Sequence, residues 1–414
     1  MERSDLAPMD TRQRIEVVDI IRGVALFGIL LVNMSMFRLD MAPMFIGIAG
    51  LPGAAVPVGL WDRVAHWGIQ LFAAGRFYPI LAMLFGLGCY MIMQRAEQKG
   101  ISAKPLLWRR LLLLLVFGVL HYVFIWFGDI LHVFAATGVF LLLFMRKSTV
   151  SLRKWIIGLS IVGLLVLGLL GGMLHWVMPL EAVIPEAGDA AKVMDFDFSG
   201  LAEVMGQGSY WAVVRFRAFM LPLSLIGLLI TIPLTLIFFL IGLYAGKAGI
   251  VDRLTGGPGP FRRMLLPALI IGALGMGIAT WMSFAGGFLM LVFAAMLGMI
   301  GGIGFVVTYI SALVLSAQTA RGRRLLRPFI QVGRMPLTTY LMQSVIATLL
   351  FYGYGLGLAG RVGAGVGVLL TIGIFAMQML FSHLWFKTFA FGPAEWLWRR
   401  LMYRKKLSLR SAAS

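Results

Sequence analysis

Long apolar runs recur along the whole of this 414-residue chain and constrain its fold more than any other feature. A helix needs about 20 apolar residues to cross the hydrocarbon core of a bilayer, which is ~30 Å thick. The candidate spans are residues 17–36, 77–95, 106–126, 129–145, 154–178, 216–245, 264–284, 287–315, 330–352 and 363–386. Hydrophobic residues make up 60% of the chain and charged residues 13%, whereas soluble globular chains have roughly 45–50% and about 25%. The sequence therefore predicts an all-α, polytopic helical bundle that crosses the membrane about ten times.

The charge pattern predicts how these spans are oriented. Basic residues cluster in every second gap between spans, so the net charge of +19 does not indicate nucleic-acid binding. Such clusters are typical of cytoplasmic loops. Both termini are therefore predicted to be cytoplasmic, with the lipid bilayer as a partner. Residues 181–214 carry six acidic side chains and one lysine, and we expect them on the outer side.

Three polar side chains share one face of the first span. Asp19 and Arg22 are one turn apart, and the eleven residues from Arg22 to Asn33 make almost three turns. A charged side chain at the centre of a span costs about 2.5–3.5 kcal/mol unless it faces protein or water. We expect this face to point into the bundle and to bind substrate. The alternative is that Arg22 extends to the head groups with Asp19 as partner, while Asn33 makes a structural hydrogen bond between helices.

His121 is the predicted general base. It lies ~16 Å along its span from Arg110, in the predicted outer half of the membrane. Histidine exchanges protons near neutral pH, and the carboxylate of Asp129 can either orient its ring or serve separately as an acid. The alternatives are that His121 is a hydrogen-bonded packing residue and that Asp129 caps the helix beginning at Ile130. His132, one turn later, is compatible with a polar lining.

Arginines and polar residues of other spans complete the predicted site. Arg76, Arg215 and Arg217 lie at the outer ends of their spans and are predicted to form an anion-binding rim above His121. The alternative is a ring of interfacial arginines that binds lipid phosphates. The span 330–352 is too polar to face lipid, so we expect it to line a cavity or a hydrogen-bonded interface. Its polar residues are Arg334, Thr338, Thr339, Tyr340, Gln343 and Ser344.

The sequence predicts no metal site and no tightly bound cofactor. Its one cysteine, Cys89, lies inside an apolar run, which excludes an intrachain disulfide and a cysteine-based metal site. Residues 355–360 match the pattern GxGxxG, but no strand precedes them, so a dinucleotide site is not predicted.

Several motifs along the chain resemble those of one bacterial family. In the N-terminal half they are Asp19-Ile-Ile-Arg22-Gly23 with Asn33, Arg76-Phe77, Leu84-Phe85-Gly86, and His121 through Trp126-Phe-Gly128-Asp129. In the C-terminal half they are Gly333-Arg334-Met335-Pro-Leu337-Thr338 with Tyr340 and Gln343, and Phe391-Gly392-Pro393-Ala-Glu395-Trp396. Together they resemble the YeiB family of bacterial membrane proteins, defined by the domain of unknown function 418 (DUF418). The departures are Arg76 where lysine is usual, Pro336 where alanine is usual and Thr339 where asparagine is usual.

The resemblance implies two regions. Residues 1–260 would form an N-terminal transmembrane region with the outward loop 181–214, and residues 261–414 a C-terminal region that resembles the DUF418 domain. A bacterial inner membrane is the implied location.

The first spans are distantly similar to membrane acyltransferases of the heparan-α-glucosaminide N-acetyltransferase type, which share the Asp-x-x-Arg-Gly opening. This similarity implies an acyltransferase that uses acyl-CoA as donor substrate and a cell-envelope glycan or a small periplasmic molecule as acceptor. A histidine carries the chemistry in those enzymes; here His66 is nearest by position and His121 is the better chemical candidate. With Asp129 as the second catalytic residue, the residues predicted to bind substrate or acyl donor are Asp19, Arg22, Asn33, Arg76, Arg334, Thr338, Tyr340 and Gln343.

Two other classes of function remain open at this point. A transporter or exporter of a small anionic solute would use Arg22, Arg76 and Arg334 along its path, although no internal repeat supports it. A non-catalytic membrane partner or lipid-organising protein is the other. The oligomeric state is left open.

Overall fold

The computed structural model describes residues 15–38, 59–177, 198–250, 259–284 and 288–410, and these residues are almost entirely helical. The only strand-like pairing within those ranges is an isolated bridge between Phe389 and Arg410. The helices are α1 (Glu16–Phe37), α2 (Leu60–Phe72), α3 (Phe77–Gln98), α4 (Lys104–Phe124), α5 (Leu131–Leu141), α6 (Thr149–Val177), α7 (Phe198–Gln207), α8 (Tyr210–Lys247), α9 (Gly259–Phe284), α10 (Phe288–Ala317), α11 (Ala320–Arg334), α12 (Pro336–Phe351), α13 (Ala364–Trp385) and α14 (Pro393–Tyr403).

Eight helical stretches of the described chain are long and apolar enough to cross a membrane, and two shorter ones are apolar. The long stretches lie at Glu16–Phe37, Leu60–Gln98, Lys104–Phe124, Thr149–Val166, Tyr210–Lys247, Gly259–Ser283, Val292–Ala317 and Ala364–Trp385. The shorter ones are Leu131–Phe144 and Pro336–Phe351. The prediction of an all-α polytopic bundle is confirmed. Ten full-length spans were expected, and eight are found among the described residues. The two predicted spans without a full-length counterpart are 129–145 and 330–352.

The predicted span 330–352 is two helices in the structure. α11 ends at Arg334, and α12 begins at Pro336. Proline has no amide hydrogen and is favoured in the first turn of a helix, so a break before Pro336 is physically reasonable. The polar residues of this segment are consequently divided between two helices.

The side chains exposed on the long helices are largely apolar, the reverse of a soluble protein. Phe219 and Leu229 of α8 are each 76% exposed, and Leu169 of α6 is 72% exposed. Faces of this kind require a hydrocarbon solvent. The chain is therefore a multi-pass membrane protein whose surroundings are a lipid bilayer.

Glycines allow neighbouring helices to approach closely. A Cβ on Gly333 of α11 would overlap the carbonyl oxygen of Asp19, and a Cβ on Gly23 of α1 would overlap the carbonyl oxygen of Phe329. Small residues at such crossings are the usual means of packing helices in a membrane. They hold α11 against α1.

Four helix ends meet at one end of the bundle and position the candidate site. The hydroxyl of Tyr210, at the start of α8, donates to the carbonyl of Phe124 at the end of α4. The amide of Gly353, after α12, donates to the carbonyl of Met205 in α7. Trp126 and Asp129, in the turn between α4 and α5, are buried.

Candidate functional site

The site is built on Asp129, in the turn that joins α4 to α5. Its carboxylate accepts hydrogen bonds from His121 Nδ1 at 2.9 Å, from His132 Nδ1 at 2.7 Å and from the His132 backbone amide at 2.8 Å. The side chains of Asp129 and His121 are both 0% exposed. A carboxylate that accepts several hydrogen bonds is strongly stabilised in its charged form.

Local sequence explains how these groups come together. His121 lies in the last turn of α4, and Asp129 precedes the first residue of α5 by two positions. The bond from the His132 amide to Asp129 ties the carboxylate to the start of α5, as the capping interpretation predicts. Gly118 of α4 faces this turn, where a Cβ would overlap the His132 backbone. The turn can therefore fold tightly back on α4.

The hydrogen bonds decide which imidazole nitrogen can accept a proton. A carboxylate can only accept, so Nδ1 of both histidines carries the hydrogen. His132 Nε2 then accepts from the Ser224 hydroxyl at 3.1 Å. His121 Nε2 is buried and has no hydrogen-bond partner among the described residues. In the neutral ring this nitrogen has a free lone pair, which is what a general base needs.

Two aromatic side chains fix the His121 ring. The Tyr340 ring centre lies 5.0 Å from that of His121, and the Trp126 ring centre lies 6.5 Å away. The Tyr340 hydroxyl donates to the Gly128 carbonyl and accepts from the Ile130 amide, both at 3.2 Å. Tyr340 thus ties α12 to the same turn that holds Asp129.

The three arginines of the predicted rim lie in different surroundings in the structure. Arg217 is 0% exposed inside the bundle, whereas Arg215 is exposed. Arg76 is buried elsewhere, where it contacts the Leu71 carbonyl and the Met276 sulfur. The guanidinium carbon of Arg217 lies 5.2 Å from the centre of the Tyr352 ring. The three arginines therefore do not form one rim.

The first-span residues lie at the crossing of α1 with α11. Asp19 and Arg22 form an ion pair at 2.7 Å, and Arg22 also donates to the Gly333 carbonyl at 3.1 Å. The guanidinium of Arg334 stacks 4.2 Å from the Phe386 ring. Asn33 is half-buried further along α1. The ion pair and the bond to Gly333 join α1 to α11, and the stacking of Arg334 joins α11 to the end of α13.

Thr338 and Gln343 lie in hydrogen-bonded helix interfaces. The Thr338 hydroxyl donates to Glu395 Oε2 at 2.6 Å. The Gln343 amide donates to Gln378 Oε1 at 3.2 Å. These contacts match the interface alternative for this segment. Glu395 itself was not predicted as a site residue, although a lone acidic residue after Gly392-Pro393 in a basic tail is a visible signal.

The structure thus brings together His121, Asp129 and Tyr340. Arg217, which the sequence assigns to the arginine rim, packs against Tyr352. Asp19 and Arg22 form a second cluster. Within the described ranges, no group of three or more His, Cys, Asp or Glu side chains is arranged to hold a metal ion.

Comparison with known proteins identifies the family. The family model "Protein of unknown function (DUF418)" matches residues 245–405. The chain is 34% identical to YxaH of Bacillus subtilis (strain 168) over 415 residues, with 97% of both chains covered. It is 30% identical, over 97% of both chains, to a "39.9 kDa protein in amylase 3'region" of Bacillus acidopullulyticus. It is 29% identical to YeiB of Escherichia coli (strain K12), over 95% of this chain and 97% of the relative. The chain therefore belongs to the YeiB family of DUF418 proteins.

Proposed function

We propose that this multi-pass membrane protein transfers an acyl group from acyl-CoA to a hydroxyl or amine of a cell-envelope glycan or a small periplasmic acceptor. The observation that carries the proposal is the pairing of His121 Nδ1 with the buried carboxylate of Asp129, which leaves His121 Nε2 without a partner. A base held in this way is the arrangement that general-base catalysis of acyl transfer requires.

The chemistry follows from that geometry. His121 Nε2 removes the proton from the acceptor hydroxyl or amine while the acceptor atom forms a bond to the thioester carbonyl carbon. The tetrahedral intermediate then breaks its carbon–sulfur bond. The proton on Nε2 passes to the leaving sulfur, so that CoA departs as a thiol and His121 returns to its neutral form.

Asp129 has a positioning role in this scheme. Its bond to Nδ1 holds the ring orientation and stabilises the imidazolium that forms transiently. Because Asp129 also binds His132 and the start of α5, its own position is fixed by three hydrogen bonds. The base is thus held by the backbone of the turn itself.

Access to Nε2 requires movement of the bundle. The His121 side chain is 0% exposed, and Trp126 and Tyr340 lie against its ring. Displacing these neighbours would admit substrate into a site that otherwise excludes water. A dry site favours transfer of the acyl group to the acceptor over hydrolysis of the thioester.

The sequence motif and the relatives support the same proposal. The Asp19-x-x-Arg22-Gly23 opening is similar to that of membrane acyltransferases, and the relatives that we compared are bacterial. We place the protein in a bacterial inner membrane with both termini in the cytoplasm. Acyl-CoA would then be supplied from the side opposite the predicted outer end of α4.

The test uses the full-length protein in detergent or nanodiscs, with radiolabelled acetyl-CoA and extracted envelope glycans. The wild type is expected to transfer label. Since a general base contributes roughly 10²- to 10⁴-fold, His121→Ala should lower kcat by that factor. Asp129→Asn should also lower kcat because it favours the wrong tautomer. His383→Ala is the matched control, since His383 is exposed and pairs with Gln331.

The outcomes separate the functional classes. Undiminished transfer by His121→Ala would remove the histidine from the mechanism. Flux of an anionic solute into proteoliposomes, with no covalent product, would instead identify a transporter.

A further inference from the structure

Arg217 is a buried cation that pairs with no carboxylate among the described residues, and Tyr352 is the one polar neighbour of its guanidinium that the contacts give. Arg217 is 0% exposed, and Nε and both terminal nitrogens have no hydrogen-bond partner of good geometry among the described residues. Arginine stays protonated in proteins, so it cannot escape this position by losing its charge. A buried charge without a counter-ion is strongly disfavoured. The arrangement points to a negative group that completes the site.

Further unsatisfied donors lie beside it. The guanidinium carbon of Arg217 lies 5.2 Å from the centre of the Tyr352 ring, and both Arg217 and Trp126 approach the Tyr352 hydroxyl. The Tyr352 hydroxyl and Trp126 Nε1 are also buried without a hydrogen-bond partner of good geometry in the described chain. Three side chains from α8, from the α4–α5 turn and from the end of α12 therefore present O–H and N–H groups in one region. We call Arg217, Tyr352 and Trp126 the Arg217 cluster.

The carboxylate of the site does not fill this role. Asp129 already accepts from His121 and His132 with both oxygens. Among the described residues no ion pair between Arg217 and a carboxylate is formed within 4 Å. The charge on Arg217 therefore remains available to a bound molecule.

We propose that the Arg217 cluster binds a singly charged oxyanion of the acceptor, either a carboxylate or a phosphodiester. One guanidinium balances one negative charge, and its planar fork can donate to two oxygens of either group. The hydroxyl of Tyr352 and the indole N–H of Trp126 supply further donors. Because Trp126 also lies against His121, the anion would be held one side chain away from Nε2.

This inference rests on the proposed function in one respect, the assignment of the anion to the acceptor molecule. Binding of the anion can be measured without catalytic turnover. Two sources of the oxyanion are chemically equivalent here, a lipid head group and a water-soluble molecule. Binding and transfer are measured separately, so the failure of one does not imply the failure of the other.

The experiment measures thermal unfolding of the full-length protein in a neutral detergent by tryptophan fluorescence. Sodium acetate and sodium dimethyl phosphate are titrated against sodium chloride at equal ionic strength. A second arm compares nanodiscs of phosphatidylcholine with and without phosphatidylglycerol. Co-purified phospholipid is quantified in each sample, because a retained lipid would occupy the cluster.

The wild-type Tm is expected to rise saturably, by about 2–5 °C when the anion greatly exceeds its Kd. Arg217→Gln should show no rise and should retain no phospholipid. Arg215→Gln is the matched control, because that exposed arginine lies two residues away on the same helix and its loss should leave the response intact. The source is a lipid if the Tm rises with phosphatidylglycerol but not with the soluble anions. The source is also a lipid if phospholipid co-purifies with the wild type and Arg215→Gln but not with Arg217→Gln. A response to the soluble anions identifies a water-soluble one.

Two results would overturn the inference. One is an equal rise for the wild type and Arg217→Gln. The other is a wild type that neither responds to any of the anions nor retains phospholipid; this result needs no variant and stands even if Arg217→Gln does not fold. His121→Ala should still show the anion response, which separates this site from the catalytic proposal.

Discussion

Glu395 shows at the residue scale how one buried carboxylate can join two helices. Its oxygens accept from the Leu337 amide at 2.6 Å, the Thr338 amide at 3.0 Å and the Thr338 hydroxyl at 2.6 Å. Both amides lie in the first turn of α12, where no carbonyl within the helix can accept from them. A negative charge at a helix N-terminus is also favourable. Glu395 of α14 therefore caps α12 from another part of the chain.

The same residue makes stability depend on pH. Burial raises the pKa of Glu395 above its ordinary value of 4.5, while hydrogen bonds from Thr338 and from the backbone oppose that rise. The folded protein then binds this proton more tightly than the unfolded chain does. Its contribution to stability is therefore greatest below pH 4.5, and it falls as the pH rises through the raised pKa.

Glu395→Gln tests this contribution, because glutamine keeps an acceptor oxygen and cannot titrate. We expect the Tm of the wild type, relative to that of Glu395→Gln, to fall as the pH rises from 4.5 and then to level off. Glu395→Ala should instead cost about 1–3 kcal/mol, since it leaves buried amides without an acceptor. A difference in Tm between wild type and Glu395→Gln that does not vary with pH would contradict the assignment.

At the scale of elements, the crossing of α1 and α11 depends on Gly333. An added Cβ would overlap the Asp19 carbonyl oxygen, which belongs to the backbone of α1 and cannot move alone. Overpacking typically costs about 1–3 kcal/mol. We therefore expect Gly333→Ala to lower the Tm in detergent and to loosen the bond from Arg22 to the Gly333 carbonyl.

Gly158→Ala provides the comparison for that prediction. Gly158 lies within α6, and a Cβ there meets nothing within 4 Å. Alanine is favoured over glycine in a helix interior by ~1 kcal/mol, so this variant should be neutral or slightly stabilising. If both substitutions changed the Tm equally, close packing at the crossing would not be the cause.

The elements also show where sequence reasoning succeeds. Hydropathy located the apolar helices because each span must satisfy its own backbone hydrogen bonds and face lipid, and both requirements are local. It missed the break at Met335, because residues 330–352 form a continuous stretch in which one proline is the only sign of an interruption. The cap from Glu395 spans 58 positions of sequence and cannot be read locally.

At the scale of the whole molecule, the partners of buried charges were the hardest to predict. His121 and Asp129 are eight residues apart, and a short turn brings the ring nitrogen and the carboxylate within 2.9 Å, which is one of the two arrangements that the sequence allows. The helix begins at Leu131, one residue later than the capping alternative assumes, and Asp129 still accepts from the His132 amide with one oxygen while the other oxygen binds His121. Which arginine faces the turn depends on how α8 is rotated against α12, and residue spacing alone does not determine that rotation.

The orientation of the molecule in the membrane remains a prediction from its charges, and cysteine labelling can test it. Native Cys89 is 1% exposed and should not react with a membrane-impermeant maleimide. We expect Asp189→Cys, in the acidic segment, to be labelled in intact cells, because acidic loops are translocated readily. Lys406→Cys, at an exposed position near the basic C-terminus, should be labelled only after lysis. If Lys406→Cys were labelled in intact cells and Asp189→Cys were protected, the orientation in the membrane would be the opposite of the predicted one. It would also place the Arg217 cluster and His121 near the cytoplasmic face, where acyl donor and acceptor would meet on the same side.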